Sequence, residues 1–293
     1  METDRKSIYA QVTERVIAEL EQGRLPWVQP WDNAKCGCTM PRNAVTGRRY
    51  SGINVLILWA QVVEQGYRSQ QWLTYRQAQA AGGSVRRGEK GIAVCYADRF
   101  TPKEEEARAR DEDREARQVA FLKRFTVFNV EQCEGLEACF TADPEPVSEE
   151  ELTPIAHELI GATGATFRIG GSEAYYSPAS DHVQVPPPHA FDDPINWYRT
   201  AFHELGHWTG HRSRLNRDQR GSFGSPDYAR EELVAEMASA FTCASLGIAP
   251  TVRHADYVGA WLAVLREDER AIFRAAGAAS KAADWLLGCA DPQ

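Results

Sequence analysis

The sequence predicts an α+β protein of two domains: an N-terminal mixed α/β module and a mainly helical C-terminal domain with a small sheet. Three observations carry that prediction. At 293 residues the chain exceeds what a single hydrophobic core usually serves. Helical spacing mixes with Val-, Ile- and Phe-rich strand-like runs in the first half, whereas helical patterns dominate beyond residue 194. Between the halves lies ADPEPVSEEELTP, acidic and proline-rich, the composition of a linker. The predicted domains are therefore 1–141 and 154–293, with the linker over 142–153.

Each element follows from local signals. From Ser7 to Glu21, Ile8, Val12, Val16 and Leu20 fall at helical spacing, and Gly23 closes the helix. Ser51 is the expected cap of an apolar helix in GINVLILWAQVVEQG that ends at Gly66. Thr74 caps a short helix ending at Gly82-Gly83, and GIAVCYADRF and FLKRFTVFNV read as two strands. The stretch between them, about 101–120, has few large apolar residues and charges of alternating sign, which predicts a solvated helical insertion on a hairpin. Beyond the linker come a helix near 153–162, the strand ATFRIGG and an extended pair in SEAYYSPASDHVQVPPPHAF. Helices are then expected at 194–210, 227–246, 254–275 and 279–288.

Composition bounds the function classes. With 43% apolar and 25% charged residues the chain reads as a soluble globular protein. No apolar run approaches the roughly 18 residues of a membrane span, and the N-terminus lacks the apolar core of a signal peptide. Seven cysteines at spacings that suggest no disulfide framework predict a reducing, cytoplasmic setting. Cys36 and Cys38 have no second pair at zinc-like spacing and read as ordinary thiols. The net charge of −8 is uneven: residues 1–100 hold 14 Lys/Arg against 9 Asp/Glu, which points to a polyanion partner for that third.

The stretch HELGHWTGH places His203 and His207 one turn apart on a helix started by Asp193 and Pro194. Two imidazoles so placed can share a tetrahedral Zn2+, with Glu204 beside the open position as general base. Zinc lowers the pKa of a bound water to about 7, and Glu204 would take that proton and return it to a leaving group. A metzincin would need a further His six positions beyond the second, and position 213 is Ser. The segment YAREELVAEMASAF, on the next helix, resembles the gluzincin arrangement, in which a ligand Glu precedes by four residues an acid that orients a ligand His. That resemblance implies Glu232 as third ligand and Glu236 as the partner of His203. Glu231 competes as ligand, but position 235 is Ala. If the helix stops at Gly210, His211 leaves the face of the other two, for a capping or surface role or for contact with substrate; Tyr228 is a second group that could contact substrate. Mn2+ and Co2+ are alternatives to zinc in a site of two His and one Glu. The extended segment SEAYYSPASDHVQVPPP suits either an edge strand that pairs with a peptide or an ordinary proline-blunted edge.

The first 100 residues interleave aromatics with cations, a pattern suited to stacking unpaired bases and tracking phosphates. The candidate contacts are Trp27, Trp31, Arg48, Arg49, Tyr50, Trp72, Arg86, Arg87 and Lys90, with Arg86, Arg87 and Lys90 on the basic turn GGSVRRGEKG. Trp59, inside the apolar helix, is assigned to the core.

The stretches ELEQGRLPWVQPW, NAVTGRRYSGINVLILW, WLTYRQAQAAGGSVRRGEKG and FTVFNVEQCEGL resemble the N-terminal module of ArdC-type antirestriction proteins. The stretches HELGHWTGHRSRL and YAREELVAEMASAF resemble the same family's zincin-like domain. The resemblance spans nearly the whole chain except the charged insertion. It implies a single-stranded-DNA-binding N-terminal domain, a gluzincin-type C-terminal domain and protection of incoming conjugative plasmid DNA from host restriction. A host restriction protein is one possible target. Whether the zincin domain cleaves a protein or holds a structural metal in a DNA-binding or restriction-blocking protein stays open at this point.

Overall fold

The computed structural model describes residues 7–28, 39–100, 105, 108–110, 119–137, 149–222, 224–250 and 257–290. Trp31, the Cys36–Cys38 pair and most of the charged insertion lie outside these residues. Among the described residues, no helix is long and apolar enough to cross a membrane.

The chain forms two compact units, and neither follows the expected linear split. One comprises Met1–Arg42, Arg48–Gln70 and Ala142–Gln293, the other Asn43–Gly47 and Gln71–Thr141. The reason is burial. In the first unit α1 (Ile8–Glu21) covers Thr13, Val16 and Leu20, and the Thr13 hydroxyl donates to the Glu269 carbonyl at 2.7 Å. The second helix, α2 (Ile53–Gln65), is apolar nearly all round and so must be enclosed. Its Trp59 meets Phe241, far along the sequence, edge-on at 5.7 Å. Gly52, not Ser51, caps α2: its backbone has φ 61°, and its N–H donates to the Ser280 hydroxyl at 2.7 Å. Burial of these two helices therefore requires the C-terminal half of the chain.

The remainder of this unit begins with α4 (Glu149–Ala162), so five residues of the expected linker are helical. A three-stranded sheet of order β7-β9-β8 follows, with β7 (Thr166–Ile169) parallel and β8 (Tyr175–Ser177) antiparallel to β9 (His182–Val185). Four helices complete it: α5 (Pro194–Trp208), α6 (Pro226–Leu246), α7 (Val258–Glu267) and α8 (Ala271–Ala290). Fourteen of the 21 residues of α6 are buried, which makes it the central helix rather than an amphipathic surface one. The single helix expected over 254–275 is broken at Asp268. That residue is extended (φ −142°, ψ 103°), and its carboxylate accepts from the Arg270 N–H at 2.9 Å, a local bond that competes with the helix.

The second unit is built on a sheet of order β1-β2-β5-β4, from β1 (Arg42–Asn43), β2 (Gln71–Thr74), β5 (Val119–Asn129) and β4 (Ile92–Phe100). The two strands expected from sequence form its long antiparallel pair, Ile92 opposite Val127 through Phe100 opposite Val119. Thr74 starts α3 (Tyr75–Ala80) with the reciprocal side-chain bonds of a capping box to Gln77. A two-stranded pair, β3 (Ser84–Val85) with β6 (Cys133–Glu134), follows, and Leu73, Ala78 and Val130 form a small core.

Candidate metal centre

Helix α5 starts where the sequence places it. The Asp193 carboxylate accepts from the Ile195 N–H at 3.2 Å, and Pro194 holds the first turn, where its missing donor costs nothing. Ile195, Trp197, Ala201, Phe202 and Leu205 fix its roll by burial, which turns His203 and His207 to the same side. Ser225 caps α6 by accepting from the Tyr228 N–H at 3.2 Å. The two helices approach closely at Gly206, where a Cβ would lie 3.3 Å from the Cα and carbonyl oxygen of Ala235. That approach brings Glu232 to the histidines.

The Nε2 atoms of His203 and His207 face the two oxygens of Glu232 at 3.5 and 3.4 Å. One donor atom from each of the three residues lies within 4.8 Å of the others. Each ring's far nitrogen faces another acid: His203 Nδ1 is 3.6 Å from Glu236, and His207 Nδ1 is 3.3 Å from Glu231. A carboxylate only accepts, so a proton on Nδ1 leaves each Nε2 with a lone pair aimed at a carboxylate. Such a set repels itself until a cation enters, and the protonation of His207 reports this. Burial disfavours the charged ring, but the bonds and charges of Glu231 and Glu232 outweigh it and raise His207 from 6.5 to about 10. Glu232 is likewise held far below the usual carboxylate range: burial opposes this, and its bonds to His203 and His207 prevail. Two imidazoles and one carboxylate, nearly dry and partnered behind, fit a divalent metal.

Glu204 is buried and lines a cavity of about 520 Å³ together with Gly171, Ala174, Pro186, Phe191 and Thr200. The cavity borders the start of β8, one of the two edge strands of its sheet among the described residues. Tyr228 lies beside Glu232; burial first, then a bond to the Tyr257 hydroxyl at 3.3 Å and the Glu232 charge, raises its phenol far above the usual range. His211 lies beyond the end of α5 and bonds the Ser213 hydroxyl at 2.8 Å, away from the three converging residues.

Two of the expected DNA contacts are corrected. Trp27 and Trp72 have no exposed surface, so neither ring can stack on a base. Trp27 packs edge-on against Trp261 at 5.3 Å, and Trp72 is a fully buried residue of β2. Arg48, Arg49, Arg86, Arg87 and Lys90 are exposed, with Arg86 bonded to Glu89 at 2.8 Å, and Tyr50 is half-buried. Phe125 is not among the contacts expected from sequence. On one face of the β4–β5 pair it lies 6.4 Å from Tyr96, both rings nearly half exposed, with Lys123 opposite Tyr96. Period-two alternation in FLKRFTVFNV was the available signal. Glu231, Arg217 and Gln219, which hold His207 from behind, were also missed as partners.

The fold and site define a zincin-like protein, and a family model described as "Zincin-like metallopeptidase" matches residues 154–278. The model for the "N-terminal domain of anti-restriction factor ArdC" matches residues 6–128. The crystal structures of the antirestriction ArdC protein from plasmid R388 superpose over 98% of this chain. The metal-free form has a TM-score of 0.81 at 40% identity and covers 98% of that chain; the Mn(II)-bound form has 0.80 at 39% and covers 99%. The uncharacterized protein y4eC of Sinorhizobium fredii (strain NBRC 101917 / NGR234) is 40% identical over 98% of this chain and 95% of its own length. DNA primase TraC of Escherichia coli is 40% identical over 97% of this chain, which spans 27% of that primase. The chain belongs to the ArdC-type antirestriction family.

Proposed function

We propose that this protein binds single-stranded DNA and acts as a metal-dependent peptidase in the cytoplasm, protecting incoming conjugative DNA from host restriction. The observation that carries the enzymatic part is the convergence of His203, His207 and Glu232, together with the position of Glu204, which follows His203 on the same helix, is buried and lines a cavity. A divalent metal held by His203, His207 and Glu232 would acidify a water and polarise a carbonyl. Glu204 would serve as the general base, accepting a proton from the attacking water and returning it to the leaving nitrogen. The strand β8 offers its free edge to an extended peptide, which would then run past the cavity. Zinc suits the donor set, and the Mn(II) bound to the R388 relative makes manganese the second candidate. A host restriction protein is the proposed peptide target.

The DNA contact is assigned to the exposed groups of the second unit: Tyr96 and Phe125 for stacking, Arg87 and Lys90 for phosphates. The deciding experiment is a restriction-challenged conjugation assay with wild type and Glu204→Ala, paired with metal analysis of both. Loss of protection with metal retained supports hydrolysis. Full protection by the metal-loaded variant leaves a DNA-binding or restriction-blocking protein with a structural metal. For DNA, Tyr96→Ala/Phe125→Ala should weaken binding of a labelled single-stranded oligonucleotide by about tenfold or more, as the loss of a stacked base predicts. Unchanged binding removes this surface.

A further inference from the structure

We propose that Arg217, Gln219 and Glu231 form a positioning device that sets the metal affinity of the site through His207. The proposal rests on the reading of His203, His207 and Glu232 as metal ligands. Its basis is the way the loop after α5 returns across the helix's end. The last carbonyls of a helix lack the usual i+4 donors; here the Gly210 and His211 N–H groups reach the His207 and Trp208 carbonyls, and side chains of one short loop add further donors. Arg217 donates to the Gly206 carbonyl at 2.6 Å, Gln219 to the His207 carbonyl at 2.7 Å, and Arg214 to the Trp208 carbonyl at 2.6 Å. The carbonyl of the ligand residue itself is thus tied down.

The same loop holds the ring. Arg217 grips Glu231 with a two-pronged fork, Nε to Oε2 at 3.1 Å and Nη2 to Oε1 at 2.8 Å. Gln219 donates to Glu231 Oε1 at 3.1 Å, and this oxygen faces His207 Nδ1 at 3.3 Å. The side chains of Arg217 and Glu231 are only 11% and 10% exposed, so the pair is largely shielded from water and fixed in geometry. Arg217 also donates to the Thr209 hydroxyl at 2.8 Å. Glu231 is thus placed to accept the Nδ1 proton, so that His207, once neutral, would offer the lone pair of Nε2 to a metal on the side facing Glu232. His207 is fixed at both its carbonyl and its ring. The device also explains Gly210, where a Cβ would lie 2.5 Å from Gln219 Nε2 and 2.9 Å from Arg217 Nη2.

The test is competition titration of the full-length, chelator-stripped protein with Zn2+ against a fluorescent chelator, alongside thermal melts of the stripped protein. Glu231→Ala and Arg217→Met should each weaken Zn2+ binding by about 10- to 100-fold. Arg217→Lys, which keeps the charge and loses the fork, gives a smaller loss and serves if the others fail to fold. Arg220→Ala, at an exposed side chain that pairs with Asp218, should leave affinity unchanged. Zn2+ affinity unchanged in the Glu231 and Arg217 variants, with only the melting temperature lowered, overturns the proposal and leaves the metal reading intact. A wild-type protein that binds no stoichiometric Zn2+ or Mn2+ overturns both.

Discussion

Glu232 is the residue on which both Nε2 atoms converge, so its loss should be disproportionate. Glu232→Ala is expected to abolish stoichiometric metal in the purified protein, read by elemental analysis, and full retention would remove the ligand assignment. The protonation of His207 gives a second prediction. Its pKa rises from 6.5 to about 10 on folding without metal, so its contribution to stability is complete below pH 6.5 and is lost as pH rises through about 10. Melting temperatures of chelated protein should fall across that window. Metal-loaded protein, whose His207 must be neutral to bind, should lack this fall; parallel curves for both forms would contradict it. At this scale the grouping of His203, His207 and Glu232 was legible because i,i+4 spacing fixes a helix face for His203 and His207, and again for Glu232 and Glu236. Arg217 and Gln219 were not legible, since a loop has no period from which to read a direction. The aromatic inventory failed at Trp27 and Trp72 for another reason: tryptophan serves cores and base platforms alike, and composition does not distinguish them.

The contact between α5 and α6 depends on Gly206, which has backbone rather than flexible side chain opposite it. Gly206→Ala should separate the helices and destabilise the protein by about 1–3 kcal/mol. Calorimetry should show a lowered melting temperature in the stripped protein together with weaker metal binding. An unchanged transition would mean that the helices tolerate the methyl group. Element type was readable wherever caps and periodicity agreed, as at Thr74, Asp193 and Ser225. It failed at Asp268, where amphipathic spacing runs on but a local side-chain bond ends the helix.

The division into units concerns the molecule as a whole. A cut between residues 141 and 142 would leave residues 142–293 without α1 and α2, exposing Trp261 and Phe241. That fragment is expected to aggregate or to lack a cooperative melt. Replacing residues 71–141 by a flexible linker, by contrast, should preserve a cooperative unit that still binds metal. The reverse outcome would show that the linear halves fold independently. Composition marks residues 142–153 as a change of character, but pairing of residues far apart in sequence leaves no local trace. The hydroxyl of Ser7 donates to the carboxylate of Glu269, 262 positions away. During synthesis, residues 71–141 emerge as a nearly continuous block that can complete its sheet while the ribosome is still at work. Helices α1 and α2, although made first, must wait for α7 and α8, so the metal centre can mature only after nearly the whole chain has been released.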